Sequence, residues 1–104
     1  RISLSRWVEV SSTNAAKLFG MYPQKGTISV GSDADIVVWD PDLKRTIRGE
    51  EMHSASGFDV FEGWSVQGWP IYTLSRGEVV YEKGVIKGAK GRGKRVIRGP
   101  HIDL

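Results

Sequence analysis

The sequence predicts a mainly β chain led by two short helices, followed by an antiparallel meander and a basic, glycine-rich tail. Three observations carry this expectation. Apolar residues recur at helical spacing near the start, a β-branched run occupies Ile36–Trp39, and residues 70–86 alternate in polarity between turn signals.

In residues 3–20, Leu4, Trp7 and Val8 recur at helical spacing, with Ser3 or Ser5 placed to cap the start. The polar run Ser11–Asn14 is expected to interrupt the helix, because Ser12, Thr13 and Asn14 are all good N-cap residues. A second helix then puts Leu18 and Phe19 on a buried side and stops at Gly20, a natural C′ position. From Met21 the period changes. Ile36-Val37-Val38-Trp39, bounded by Asp35 and by Asp40-Pro41-Asp42, reads as a strand buried on both faces. A weaker strand is expected around Thr46 and Ile47, and a loop over residues 53–63.

Beyond the loop, Ile71, Thr73 and Ser75 face one side of a strand and Tyr72, Leu74 and Arg76 the other. Arg76-Gly77 and Glu82-Lys83-Gly84 read as hairpin turns. In residues 61–70, FEGWSVQGWP, two tryptophans sit among two glycines and a proline. Large rings dominate burial, so Trp64 and Trp69 read as a packing corner between loop and strand, not as a ligand platform.

A chain of 104 residues supports one domain. Its net charge of +3 is unevenly spread. Residues 1–86 hold nine basic and eleven acidic residues, net −2, and residues 87–104 hold six basic and one acidic, net +5. With no cysteine there are no disulfides or thiolate metal sites, which suits a reducing cytoplasm. No apolar run approaches the roughly 20 residues that span a bilayer. The first ten residues lack the apolar core of a secretory leader. The chain begins at Arg1 without a methionine and is expected to be a piece of a longer protein. Residues 87–104, with four glycines and no periodicity, bury too little apolar surface to order alone, leaving Val96-Ile97 as a docking pair.

The chemistry-bearing residues are sparse. His53 and His101 are far apart in sequence, with no His-x-His or His-Glu-x-x-His pattern, so each reads as a loop residue and no self-contained zinc site is expected. Carboxylates pair at Asp33/Asp35, Asp40/Asp42 and Glu50/Glu51. Residues two apart on a strand share a face, which suits an acid–base dyad, but no cleft partner accompanies them. The first two pairs read better as turn formers that end the Ile36–Trp39 strand with water-facing charge. Gly91-Arg92-Gly93-Lys94 lacks the strand, spacer and Ser/Thr of a phosphate loop. A Gly-Arg tail suits unspecific nucleic-acid binding, yet residues 87–104 hold no aromatic for stacking, and the tail reads as solvated or subunit-docking.

The run STNAAKLFGMYPQKGTISVGSDADIVVWDPD, residues 12–42, resembles the C-terminal segment of the cyclic amidohydrolases, the group of dihydropyrimidinases and hydantoinases. Residues 61–84, FEGWSVQGWPIYTLSRGEVVYEKG, resemble the segment that follows, where Phe-Glu-Gly precedes Gly-x-Pro and a Ser-Arg-Gly-x-Val-Val strand turn. The similarity runs over residues 1–98. Residues 25–40 alone are common among metal-dependent amidohydrolase barrels; Phe61-Glu62-Gly63 narrows the choice to the dihydropyrimidinase-like branch.

The resemblance implies a TIM-type barrel holding two divalent metals, expected to be zinc, beside a composite β-sandwich built from both ends of the chain. Residues 1–22 would be terminal helices of the barrel, residues 23–86 the C-terminal strands of the sandwich, and residues 87–104 the tail. The family's metal ligands are an early His-x-His, a carboxylated lysine, two further histidines and an aspartate. All precede this segment, so no catalytic, cofactor-binding or metal-binding residue is carried over to it. The whole protein would hydrolyse the ring amide of a cyclic ureide by a metal-bridged hydroxide, in the cytoplasm, with no nucleic-acid or membrane partner. Its tail would reach across to a neighbouring subunit of a homotetramer. Two other classes remain: a non-catalytic relative such as the collapsin response mediator proteins, or an independent small β binding module in which residues 21–86 fold alone.

Overall fold

The computed structural model describes residues 1–104. The element order is helix α1 (Leu4–Val8), a π-helical turn (Glu9–Thr13), helix α2 (Asn14–Leu18), strand β1 (Ile36–Thr46), a 3₁₀ turn (Gly49–Glu51), and strands β2 (Ser65–Ser75), β3 (Glu78–Glu82) and β4 (Val85–Ile86). The four strands form one sheet in the order β1-β2-β3-β4. The chain divides into two compact units, one of residues 1–36, 75–77 and 89–104, the other of residues 37–74 and 78–88. No helix is long and apolar enough to cross a membrane.

In the first unit Ser3 caps the helical run, its Oγ accepting the N–H of Arg6 at 3.2 Å. The polar turn expected at Ser11–Asn14 does not form. Helix continues through it in a wider turn, with the Asn14 N–H donating to the Glu9 carbonyl five residues back. The hydroxyls that favour capping are engaged elsewhere. Ser11 Oγ donates to the Trp7 carbonyl at 2.7 Å, and Thr13 Oγ1 donates to the Gly26 carbonyl at 2.7 Å. The C-terminus matches expectation: Gly20 has φ +66°, its N–H bonds Lys17, and the N–H of Met21 bonds Ala16 at 2.8 Å. The residue buried on α2 is Ala16, only 3% exposed; Leu18 and Phe19, expected on a buried side, are exposed. Ala16 is covered because it backs onto Gly26.

In the second unit the expected strand at Ile36–Trp39 forms and runs on through Pro41 to Thr46, absorbing the separate weak strand. Asp40 makes the continuation possible. Its Oδ1 accepts the N–H groups of Asp42 and Leu43 at 2.9 and 3.1 Å, a local turn within the strand. The strand is not buried on both faces: Val37 and Val38, whose side chains point to opposite faces, are 54% and 41% exposed. Both hairpins form as expected. β2 and β3 are joined by Arg76-Gly77, and β3 and β4 by Lys83-Gly84, all four residues with positive φ, which matches the right-handed twist of the strands. β3 pairs antiparallel with β4, Tyr81 opposite Ile86 and Glu82 opposite Val85.

Strand β2 starts at Ser65, so residues 65–70 of the FEGWSVQGWP run are already strand and the corner is confined to Phe61–Trp64. Reciprocal bonds fix that corner: Ile47 N–H to the Trp64 carbonyl and Gly63 N–H to the Ile47 carbonyl, each 2.9 Å. Trp64 is exposed and meets Phe61 edge-on at 5.3 Å, whereas Trp69 is half-buried beneath the Arg45 guanidinium. The packing corner therefore rests on backbone bonds, with one of its two rings left open. Gly49 sits where the returning loop crosses closest. Its N–H donates to Glu62 Oε2 at 2.5 Å, and a Cβ there would lie 2.6 Å from Phe58 Cα.

Gly49→Ala is therefore expected to lower stability by about 1–3 kcal/mol, since the atom it meets is backbone and cannot swing aside. Urea unfolding of the intact protein measures it. A variant as stable as wild type would show that residues 58–62 do not pack against Gly49.

Candidate functional site

The residues singled out for chemistry do not converge. His53, in the second unit, adopts a left-handed backbone (φ +54°), and its Nε2 lies 3.1 Å from the Gly84 carbonyl, with Tyr81 edge-on at 6.4 Å. His101, in the first unit, is exposed, its Nε2 3.6 Å from Asp103 Oδ1. Glu51 pairs with Arg45 at 2.9 Å, and Glu50 is exposed in the same 3₁₀ turn. Nowhere do three or more His, Asp or Glu side chains gather as a metal site would need.

One polar cluster is well organised, and the sequence reading found only half of it. Lys25 lies between Asp33 and Asp35: its Nζ is 2.8 Å from Asp33 Oδ2 and also donates to Asp35 Oδ2. Gln24 Nε2 donates to Asp33 Oδ2 at 3.1 Å. Asp35 Oδ1 accepts the backbone N–H of Arg76 at 2.8 Å, and beside it the Gly77 N–H donates to the Ala34 carbonyl at 3.0 Å. The Asp33/Asp35 pair, expected only to end a strand with water-facing charge, thus holds a lysine and a hairpin turn. Lys25 and the Arg76 N–H were missed because neither carries a motif. The one available signal was a lone cation eight residues before an Asp-x-Asp.

The charges respond to this arrangement. The hydrogen bond from Lys25 holds the carboxyls of both Asp33 and Asp35 below the ordinary carboxylate range, aided at Asp33 by Gln24 and at Asp35 by the Arg76 N–H, against some desolvation. Partial loss of hydration pushes the Lys25 ammonium down, but its two carboxylate partners outweigh that and raise it above the ordinary lysine value. Carboxylates kept ionised and occupied by a lysine are poor proton-transfer groups near neutrality, so the cluster ties loops together.

Comparison with known proteins places the chain. The amidohydrolase family model matches residues 1–80. A dihydropyrimidinase from Rattus norvegicus is 54% identical over 100 residues, 96% of this chain and 19% of that protein. A D-hydantoinase from Ralstonia pickettii is 49% identical over 94 residues, 90% of this chain and 21% of that protein. The crystal structure of a dihydropyrimidinase from Brevibacillus agri superposes with a TM-score of 0.94 at 48% identity, over 99% of this chain and 22% of that one. The chain spans about a fifth of the length of these relatives.

The cluster sets a pH dependence. A carboxyl whose folded pKa is depressed adds stability that is complete above its unfolded value, near 3.9, and is lost as pH falls through the lower folded value. Asp35→Asn should therefore destabilise at neutral pH by about 1 kcal/mol, the small figure expected of a solvent-screened pair. The gap to wild type should begin to shrink only below about pH 4 and close as pH falls through the lower folded value. Urea midpoints between pH 2.5 and 8 test this; a gap that stays constant with pH would show that Asp35 ionisation does no structural work.

Proposed function

The chain belongs to the amidohydrolase family, in its dihydropyrimidinase and hydantoinase branch, and from that premise we propose that it is the C-terminal structural part of an enzyme hydrolysing the ring amide of a dihydropyrimidine or hydantoin. The observation that carries the structural role is strand β1. Val37 and Val38 project from opposite faces and stay exposed, although an alternation-free apolar strand is the pattern of a strand covered on both sides. The missing cover is the N-terminal remainder of the same polypeptide, which would complete the composite sandwich, with helices α1 and α2 among the last of the barrel.

The groups present here do not fit the family's two-metal centre. His53 is turned to a carbonyl, His101 stands in solvent beside Asp103, and Asp33 and Asp35 are held by Lys25. No step of the hydrolysis is routed through this segment. Its contribution is to carry the sheet and to fix the loops that return to it. The cytoplasmic setting and the homotetramer belong to the same proposal. Ile97, Ile102 and Leu104, 84%, 42% and 68% exposed on the tail, are apolar side chains available to a neighbouring subunit.

The full-length protein is expected to open dihydrouracil or hydantoin to the N-carbamoyl acid, followed by chromatography. His53→Ala and His101→Ala should leave kcat/KM unchanged. Failure to open either ring rejects the enzymatic reading. Loss of turnover in a folded histidine variant rejects the assignment of this segment as structural.

A further inference from the structure

Residues 89–104 have no helix or strand of their own, yet they are fixed within the first unit at two separated points. At the first, two arginines interlock. Arg92 Nη2 donates to the Ser75 carbonyl at 2.6 Å, and Arg76 Nη2 donates to the Arg92 carbonyl. At the second, backbone meets the end of α2: the Gly99 N–H donates to the Gly20 carbonyl at 2.7 Å and the Ile102 N–H to the Lys17 carbonyl at 3.1 Å. The Gly20 carbonyl lies past the helix end, and the Lys17 carbonyl, which already accepts the Gly20 N–H at 3.1 Å, takes the Ile102 N–H as a further donor. Between the anchors the tail and the helix end border an open groove of about 710 Å³ that includes Leu18, Phe19, Arg95 and Arg98.

The anchors differ in kind. The arginine clasp uses charge-assisted bonds between half-buried residues. The distal anchor uses neutral backbone bonds donated by exposed residues and depends on one glycine. A Cβ on Gly20 would stand 2.0 Å from the Gly99 carbonyl oxygen, an overlap that backbone cannot absorb. A Cβ on Gly99 would stand 3.8 Å from the Gly20 oxygen, an ordinary contact. Gly93, just past the clasp, supplies a flexible joint.

We propose that residues 93–104 form a latch hinged at Arg92. The distal end opens and recloses on the α2 terminus while the Arg76–Arg92 clasp stays shut, alternately covering and baring the Gly20 carbonyl beside Leu18 and Phe19. Opening belongs to the low-stability end of local unfolding, since it breaks only two neutral hydrogen bonds whose donors are exposed residues.

Hydrogen exchange and limited trypsin digestion of the intact protein test the latch. The Gly99 and Ile102 amides, the donors of the distal anchor, should exchange through local opening in the wild type. Gly20→Ala should speed their exchange by about tenfold or more, as expected for losing both distal bonds, and expose the Arg95–Val96 and Arg98–Gly99 bonds to trypsin. The Arg92–Gly93 bond beside the closed clasp should stay uncut. Ile102→Pro removes one distal donor without touching the helix, so it reads the same anchor even if Gly20→Ala impairs folding. Gly99→Ala should leave the tail as protected as in wild type. Unchanged protection of the Gly99 amide in Gly20→Ala and Ile102→Pro, cleavage after Arg92 matching that after Arg95 and Arg98, or release by Gly99→Ala overturns the proposal.

Discussion

Asp35 accepts from two directions, and much of the first unit follows from that. One oxygen takes the Lys25 ammonium, drawing in residues 24–35, whose backbone closes on itself through the Asp33 N–H and the Gln24 carbonyl. The other takes the backbone N–H of Arg76, a residue in the left-handed region that needs a fixed partner to stay there. Once Arg76 is set, its guanidinium is in place to hold the Arg92 carbonyl. A single carboxylate therefore orders a loop, a turn and the near end of the tail in succession. A carboxylate suits this because it accepts several bonds with its charge shared between them.

Such polar ties matter because apolar burial is slight. Ala16 is the only hydrophobic side chain fully buried, and most of the large ones are open. With little hydrophobic stabilisation, the form of each unit is set by backbone bonding, by turns with positive φ and by close approaches that only glycine allows. Every buried side-chain polar atom has a partner. The polar part of the fold is complete where the apolar part is not.

That division explains what was legible. Both hairpin turns, the Ser3 cap and the Gly20 stop were readable because each is a local choice made by one or two residues with strong conformational demands. The expected break at Ser11–Asn14 failed because capping residues can also bond back along a helix, and Thr13 found its partner thirteen residues on, at Gly26. The strand through Asp40-Pro41-Asp42 was cut short in the reading because a turn signal and a strand interior were treated as exclusive, whereas Asp40 satisfies its neighbours' N–H groups and lets pairing resume. The Lys25 cluster and the tail anchors were invisible for a different reason. They join residues far apart in sequence through single bonds that leave no periodic trace.

The burial expectations for Ile36–Trp39, Leu18 and Trp64 failed in the same direction: each is more open than its composition implies. A pattern of apolar residues reports the environment a strand is built for, while the turns, caps and ion pairs report the path the backbone takes. Here the two kinds of signal separate, since the turns and caps are formed while much of the apolar side of β1 stays exposed. The residues that determine the path are Ser3, Gly20, Asp35, Asp40, Gly49 and the two positive-φ turns, and none of them is a large apolar residue. Substitutions among these should alter structure locally, whereas substitutions at the exposed Val37 and Val38 should change little in this chain by itself.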